Sequence, residues 1–447
     1  MMMKKVANWG NYPVMESEEG TFRTLGELKA LLATDKAVIA RGNGRCYGDA
    51  SLSAVTVSTL KYDKITAFDT EQGIITCQSG VTLDQLLEVI VPKGWFLPVT
   101  PGTKFVTVGG MVASDVHGKN HHVDGAFSRH VLELDLLTGA GEIVTCSPTH
   151  LPELLEATCG GMGLTGIVLS VRFRLKAVET SYISQHKIKA RNLTELLELF
   201  ERYHDVTYSV AWIDCLKKGD GFGRSVLLLG EHASVRELTP RQREGGPLAL
   251  PPKKSIRFPF NLPSWVLNNF TVRAFNFLYY HKNLTKEARS VIPYEPFFYP
   301  LDAILHWNRG YGKKGFVQYQ FVVPIENKAG LIDILTRISD KGWGSFLAVL
   351  KVFGEQESGI SFPMKGYTLA LDFPVREGLF PFLEELDQVV LSYGGRIYLS
   401  KDARMSAQTY QSGYARAADH FSTLLRKYNP EEKFRSVQSA RLAITRQ

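Results

Sequence analysis

The sequence predicts an α+β protein of two domains, on three observations. Its 447 residues exceed one ordinary domain, while a 44 % hydrophobic content is enough to bury substantial cores. Up to about residue 180, short β-rich runs alternate with short helices and glycine turns; beyond it the alternating segments lengthen. No internal repeat is visible, and no run approaches the roughly 18 apolar residues of a membrane span.

Taken in order, Leu25, Leu28, Leu31 and Leu32 recur at helical spacing behind Thr24, a plausible cap, so residues 22–35 read as an amphipathic helix. An apolar strand at 37–40 runs into a glycine-rich turn. Residues 55–57 and 73–77 read as strands, and 83–91 as a helix behind Thr82. A third helix, 151–158, leads through Gly160 and Gly161 into an alternating, half-exposed strand at 167–175. Farther on, strands at 208–213, 225–229 and 316–323 are separated by helices at 193–203 and 326–339. That order predicts a largely antiparallel sheet with helices on one face. The stretch 238–300 is rich in Pro, aromatics and basic residues, without a clear period before Trp265, and reads as a lid or insertion rather than core.

Charge is concentrated in that same stretch. The chain carries +7, and residues 241–290 hold nine basic residues (Arg241, Arg243, Lys253, Lys254, Arg257, Arg273, Lys282, Lys286, Arg289) against Glu244 and Glu287, so the remainder is neutral. A protein that coats nucleic acid would spread its basic surface. Here aromatics interleave with the cations at 259–267 and 275–280, a composition that suits an anionic membrane surface or a lipid phosphate; the alternative is a solvated loop. The five cysteines are scattered and form no CxxC pair, which argues against a disulfide framework or structural zinc and favours a reducing compartment. Lys4 and Lys5 precede no apolar stretch, so no secretory signal is read. The expected location is cytoplasmic, or peripheral to the inner face of the plasma membrane.

Three glycine-rich segments bear on ligand binding. Residues 161–166 fit G-x-G-x-x-G, but a helix precedes them and a strand follows, the reverse of a Rossmann site; they read as a tight turn that can still press its backbone against a ligand. Residues 41–49, directly after a strand, and 101–120 are dense in glycine and small hydroxyls, with backbone N–H groups suited to a diphosphate. Each alone could be a plain turn.

Taken together with 79–83 and 160–167, these segments resemble the vanillyl-alcohol oxidase / p-cresol methylhydroxylase (PCMH) superfamily. Within it, residues 44–49, 117–122, 318–321, 350–354 and 395–402 resemble the decaprenylphosphoryl-β-D-ribose 2-oxidases, and they run almost from end to end. The resemblance implies a two-subdomain PCMH-type FAD-binding domain at 1–179, a substrate domain at 180–395 with the basic aromatic lid at about 238–300, and a C-terminal segment, 396–447, returning to the first. It places FAD against Arg41, Gly42, Asn43, Gly44, Arg45, Cys46, Tyr47, Gly48, Asp49 and Ala50. It adds Gly102 and the run Thr107, Val108, Gly109, Gly110 in the second loop, then His117, Gly118, Lys119 and Asn120, and finally Ile167 and Tyr398. Many relatives tether the flavin through a histidine of the first loop; here that loop reads Arg45-Cys46, so noncovalent FAD is expected.

Oxidising a secondary alcohol with a flavin requires a hydride path from the carbinol carbon and a group that takes the hydroxyl proton. Lys401 reads either as a surface lysine paired with Asp402 or, following the resemblance, as a substrate anchor or base; His117 and Tyr47 are rival proton acceptors. His117 and His121 have the i, i+4 interval of a metal pair, yet Gly118 argues for a loop, and no metal is expected. Gln318 and Gln320, and Lys351 and Phe353, share faces of two candidate strands: a polar substrate pocket, or a sheet face open to water. Thr368 stands where the family often has Asn. Ala370 replaces the cysteine that traps nitroaromatic inhibitors in the mycobacterial enzymes, so no covalent labelling is expected there. The implied reaction is oxidation of the ribose 2-hydroxyl of a polyprenylphosphoryl ribose, with a separate short-chain reductase completing an epimerisation. The alternative is an alditol or aldonolactone oxidase on the same fold.

Overall fold

The computed structural model describes residues 2–250, 255–263, 266–356 and 359–446, and among these described residues three larger sheets and two short ribbons organise the chain. In the first sheet, Met2–Ala7 lies antiparallel to Val14–Thr21, and Val55–Ser58 and Val38–Arg41 continue it in parallel. The helix of this layer is Leu25–Leu32, shorter than the expected 22–35. Thr24 accepts the Glu27 N–H while the Glu27 carboxylate accepts the Thr24 N–H, a reciprocal cap that fixes the start, so Phe22 is free to pack in the core instead.

The second sheet is antiparallel throughout, ordered Ile65–Asp69, Ile74–Gln78, Gly166–Arg174, Val131–Thr138 and Ile143–Cys146. Helix Pro152–Thr158 does precede the 161–166 glycines and strand Gly166–Arg174 follows them. Gly166 marks the close approach: a Cβ there would lie 2.4 Å from the Leu137 carbonyl oxygen.

The third sheet has eight antiparallel strands in the order Glu287–Pro293, Tyr182–Ala190, Ser225–His232, Tyr208–Ile213, Ala348–Phe353, Gly366–Pro374, Phe316–Pro324 and Arg396–Ile397. Its period of two decides everything that follows. Tyr319, Phe321, Leu350, Leu369 and Leu371 are buried in the core, to which helices Lys328–Lys341 and Leu379–Ser392 add their apolar stripes. The register sets Gln318 opposite Asp372, Gln320 opposite Ala370, Ala370 opposite Val349, and Thr368 opposite Lys351. These residues therefore share the other face.

The expected lid needs correcting at its C-terminal end. Glu287–Pro293 is the edge strand of the large sheet, and Tyr294–Phe298 is a helix whose Tyr294, Phe297 and Phe298 are buried against Phe96 and Tyr208. An edge strand exposed over its first four residues, followed by a helix of aromatics, offers no clean period to read. Before it come helices Pro240–Glu244 and Asn269–His281. Lys253, Lys254 and Trp265 lie outside the described residues. The C-terminal chain, after a helix over Ala407–Tyr428, adds to the first sheet through Val38 and Phe434, with Val38 N–H donating to Lys433 O and Arg435 N–H to Val38 O. All five cysteines are free thiols, and among the described residues no helix is long and apolar enough to cross a membrane.

Candidate active site

A cavity of about 340 Å³ lies between the two glycine loops and the polar face of the large sheet. One wall is the first loop. Gly44 has φ +60°, and Asn43 Nδ2 donates to Phe105 O at 2.8 Å. The Arg45 guanidinium lies 4.0 Å from the Trp9 ring centroid. The N–H groups of Asn43, Gly44, Arg45 and Cys46 make no hydrogen bond among the described residues. The second loop supplies Gly102, where a Cβ would meet nothing within 4 Å, and Thr107, which caps helix Val108–Ala113 by accepting the Gly110 N–H. Ser79 Oγ is buried at the same wall without a partner among the described residues. Bare backbone and free donors on two facing loops are what a flavin dinucleotide needs, so the residues present fit that group.

The opposite wall carries the ionisable groups. Gln318 Nε2 donates to Asp372 Oδ1 at 2.6 Å and Tyr311 O–H to Asp372 Oδ2 at 3.3 Å; burial nevertheless pushes the Asp372 carboxyl up to about 7. Lys401 holds its ammonium 3.9 Å from the Tyr47 ring centroid, and burial brings its pKa down to about 8 against the opposing pull of Asp372. Burial, reinforced by Lys119 and Lys401, brings Lys351 down to about 7. Gln318, Lys351 and Lys401 are half-buried at this wall, and Asp402 pairs with Arg441 rather than with Lys401. The strand ends at Ile397, and in the turn after it Lys401 N–H donates back to Tyr398 O, which lets Tyr398, Ser400 and Lys401 all reach the cavity.

His117 packs against Phe353, Phe362 and Tyr398, with ring centroids 4.8, 5.6 and 5.0 Å away. Its Nε2 stands 3.1 Å from Gln320 Nε2, which also reaches Thr368 Oγ1 at 3.2 Å. Burial and the nearby Lys351 hold the imidazole well below its ordinary pKa. In the tautomer whose Nε2 accepts the Gln320 N–H, the ring proton sits on Nδ1, which is buried without a partner among the described residues. Tyr47 is shifted the other way: burial raises its phenol well above the ordinary value, so it stays protonated. His121 begins a separate four-residue helix, and among the described residues no group of three His, Cys, Asp or Glu is arranged to hold a metal.

Not every expected residue stands in the wall. Gly42, Asn43, Gly44, Arg45, Cys46, Tyr47, Ala50, Gly102, Thr107, Gly109, Gly110, His117 and Tyr398 line the cavity, as do Gln318, Gln320, Lys351 and Lys401. The others stand behind it. Arg41 donates to Ala7 O, Asp49 pairs with Arg441, Gly48 presses on Asp402 O, and Val108 and Ile167 are core. Gly118 abuts Thr100. Asn120 Nδ2 donates to Pro98 O, and Lys119 Nζ to Phe298 O. Phe353 and Thr368 support His117 and Gln320. Sequence reasoning missed Trp9, Trp307, Asp302 and Ser400, which line the wall, and Asp372, which sits in the Asp-Phe-Pro string beside Ala370. Ala370 itself lines the cavity without a thiol.

Residues 26–147 match the FAD binding domain family. The chain is 36 % identical to the decaprenylphosphoryl-beta-D-ribose oxidase of Mycolicibacterium smegmatis, over 92 % of this chain and 90 % of that protein. It is 33 % identical to an uncharacterized protein in the mprA 5′ region of Streptomyces coelicolor, over 81 % of this chain and all of the other. Among solved structures, a single-residue variant of the BBE-like 1 protein of Physcomitrella patens superposes with a TM-score of 0.66 at 13 % identity, covering 93 % of this chain and 89 % of that one, a likeness of fold. With a mixed, mostly antiparallel architecture of that kind and an FAD binding domain in its first third, the chain belongs to the decaprenylphosphoryl-β-D-ribose oxidase family.

Proposed function

We propose that the protein oxidises the ribose 2-hydroxyl of a polyprenylphosphoryl-β-D-ribose to the 2-keto sugar, with Lys401 receiving the hydroxyl proton. The observation that carries this is the placement of the Lys401 amine at the cavity wall, over Tyr47 and beside Asp372, with a pKa of about 8. An amine so tuned is in part neutral near pH 7 and competent as a base, whereas His117 and Tyr47 are not. FAD, when bound, accepts the hydride. In this reading residues 1–179 hold the cofactor noncovalently, since no histidine occurs in the first loop, while 180–395 hold the sugar and 396–447 return Lys401 to the cofactor. Gln318, Gln320 and Lys351 orient the sugar, and Thr368 and Phe353 hold those groups in place.

The lipid part of the substrate calls for peripheral membrane contact, at the inner face of the plasma membrane in this reading. Helix Asn269–His281 supports it: Phe270, Phe277 and Leu278 are 79 %, 54 % and 66 % exposed, and Leu284 just beyond is 93 % exposed, with Arg273 on the same helix and Arg257 nearby in sequence. A 2-keto product still attached to lipid requires a reductase to complete the epimerisation, and a separate short-chain enzyme is the partner this chemistry implies.

Anaerobic mixing with a short-chain prenylphosphoryl ribose should bleach the flavin, and an alditol should not; the reverse result would favour the alditol oxidase alternative. The Lys401→Ala variant should keep its FAD and lose about 100-fold or more of the reduction rate. In the wild type that rate should rise with pH and level off above about 8, because the neutral amine is the acting form. A rate that falls through the same pH would instead make Lys401 a charged anchor. Acid precipitation should leave a yellow supernatant and a colourless pellet; a yellow pellet would mean a covalent flavin. Binding to phosphatidylglycerol vesicles should weaken as salt rises and on changing Phe270 and Leu278 to Ser. Binding unaltered by either would refute the membrane contact.

A further inference from the structure

We infer that Arg441, a residue outside the cavity near the C-terminus, is a positioning residue that holds Lys401 against Tyr47. The two groups come from segments far apart in sequence. Asp402 follows Lys401 directly, and Asp49 lies two residues beyond Tyr47. Both carboxylates are buried, at 4 % and 1 % exposure. One guanidinium serves them both: Arg441 Nε donates to Asp49 Oδ2 at 3.0 Å, and one terminal nitrogen donates to Asp49 Oδ1 at 2.9 Å and to Asp402 Oδ2 at 2.7 Å. The other terminal nitrogen donates to Met405 O at 2.5 Å. Arg441 closes the helix Val437–Arg441, and from that helix Gln438 Nε2 donates to Leu399 O at 2.7 Å.

Between the two carboxylates the loop and the turn touch directly. Tyr47 N–H donates to Ser400 O at 3.1 Å, and Gly48 lies so close that a Cβ would come within 1.8 Å of Asp402 O. Two buried like charges this close need a shared counter-ion, and a planar fork that binds one carboxylate through two nitrogens while reaching the second is a task for arginine. Arg404 also acts on Asp402 but spends its own fork on Asp387, so it does not bridge to the loop. Without Arg441 the Asp49 and Asp402 carboxylates repel, the turn lifts from the loop, and the Lys401 amine leaves the Tyr47 ring for a wetter position. This step rests on the proposed role of Lys401, so Lys401→Ala is measured alongside.

The test is anaerobic flavin bleaching by a short-chain prenylphosphoryl ribose as a function of pH, on FAD-loaded R441Q and R441K. For R441Q the saturating rate should fall about 30-fold or more, with the half-saturating substrate concentration changed less than about threefold and FAD retained. The midpoint of the pH profile should move upward from about 8 as Lys401 regains water. R441K, which keeps the charge but not the fork, should recover part of the rate. An R441Q enzyme with the wild-type rate and midpoint, or one whose loss only follows lost FAD with the midpoint unmoved, would overturn the inference. If Lys401→Ala bleaches normally, the reading of Lys401 fails instead. Should R441Q not fold, D402N, which sets an amide N–H where Arg441 needs an acceptor and so cuts its link to the turn while leaving it on Asp49, should show the same upward shift in smaller measure, without the repulsion; an unmoved midpoint there would equally overturn it.

Discussion

Lys401 sits half-buried at the cavity wall, its ammonium over the Tyr47 ring and within the field of the Asp372 carboxyl, and the turn and loop around it fix it there. An ammonium removed from water loses hydration that one neighbour does not replace, so its charged form is disfavoured. Asp372 is the main group that offsets this, and it is itself so buried that its carboxyl is pushed up to about 7. Lys351 adds a second amine to the same wall. Burial thus shifts the two cavity amines down, to about 7 and about 8, and the Asp372 carboxyl behind them up, to about 7, toward the range in which a side chain can both take and release a proton.

That placement makes demands on parts of the chain distant in sequence. The sheet must present Gln318, Gln320, Lys351, Ala370 and Asp372 on one face, which the antiparallel register of three adjacent strands does. A slip of one residue would turn each of them into the apolar core. The turn that carries Lys401 must stop its strand at Ile397, and the first loop must approach closely enough that only glycine fits at position 48. The aromatic box around His117 serves a different purpose. It holds the imidazole well below its ordinary pKa and its Nε2 against Gln320, which fits the proposed role of the Lys401 amine as the proton acceptor.

Much of this is legible in the sequence. Strands such as Tyr208–Ile213 and helices such as Leu83–Ile90 follow from period and caps, and the paired faces of Gln318/Gln320 and Lys351/Phe353 follow from alternation alone. The glycine loops are recognisable as backbone that a diphosphate could approach. Less visible is anything set by tertiary contact. Glu287–Pro293 is an edge strand with a polar, exposed beginning, so it carries no alternation and reads as part of the lid. Trp9 and Asp302 reach the cavity only because their segments pack there, and nothing local marks them. Arg41, Asp49 and Ile167 lie in or beside the glycine-rich segments, yet their side chains point into hydrogen bonds, an ion pair and core behind the wall, a distinction that spacing does not encode.

Burial of the Lys401 amine sets its pKa, and its titration can be observed directly. Heteronuclear NMR of the FAD-loaded protein with ¹³C,¹⁵N-labelled lysine, the Lys401 signal assigned by its loss in Lys401→Ala, would follow the side chain through pH. A midpoint near 8 is expected, and a midpoint at the ordinary 10.5 would contradict the account.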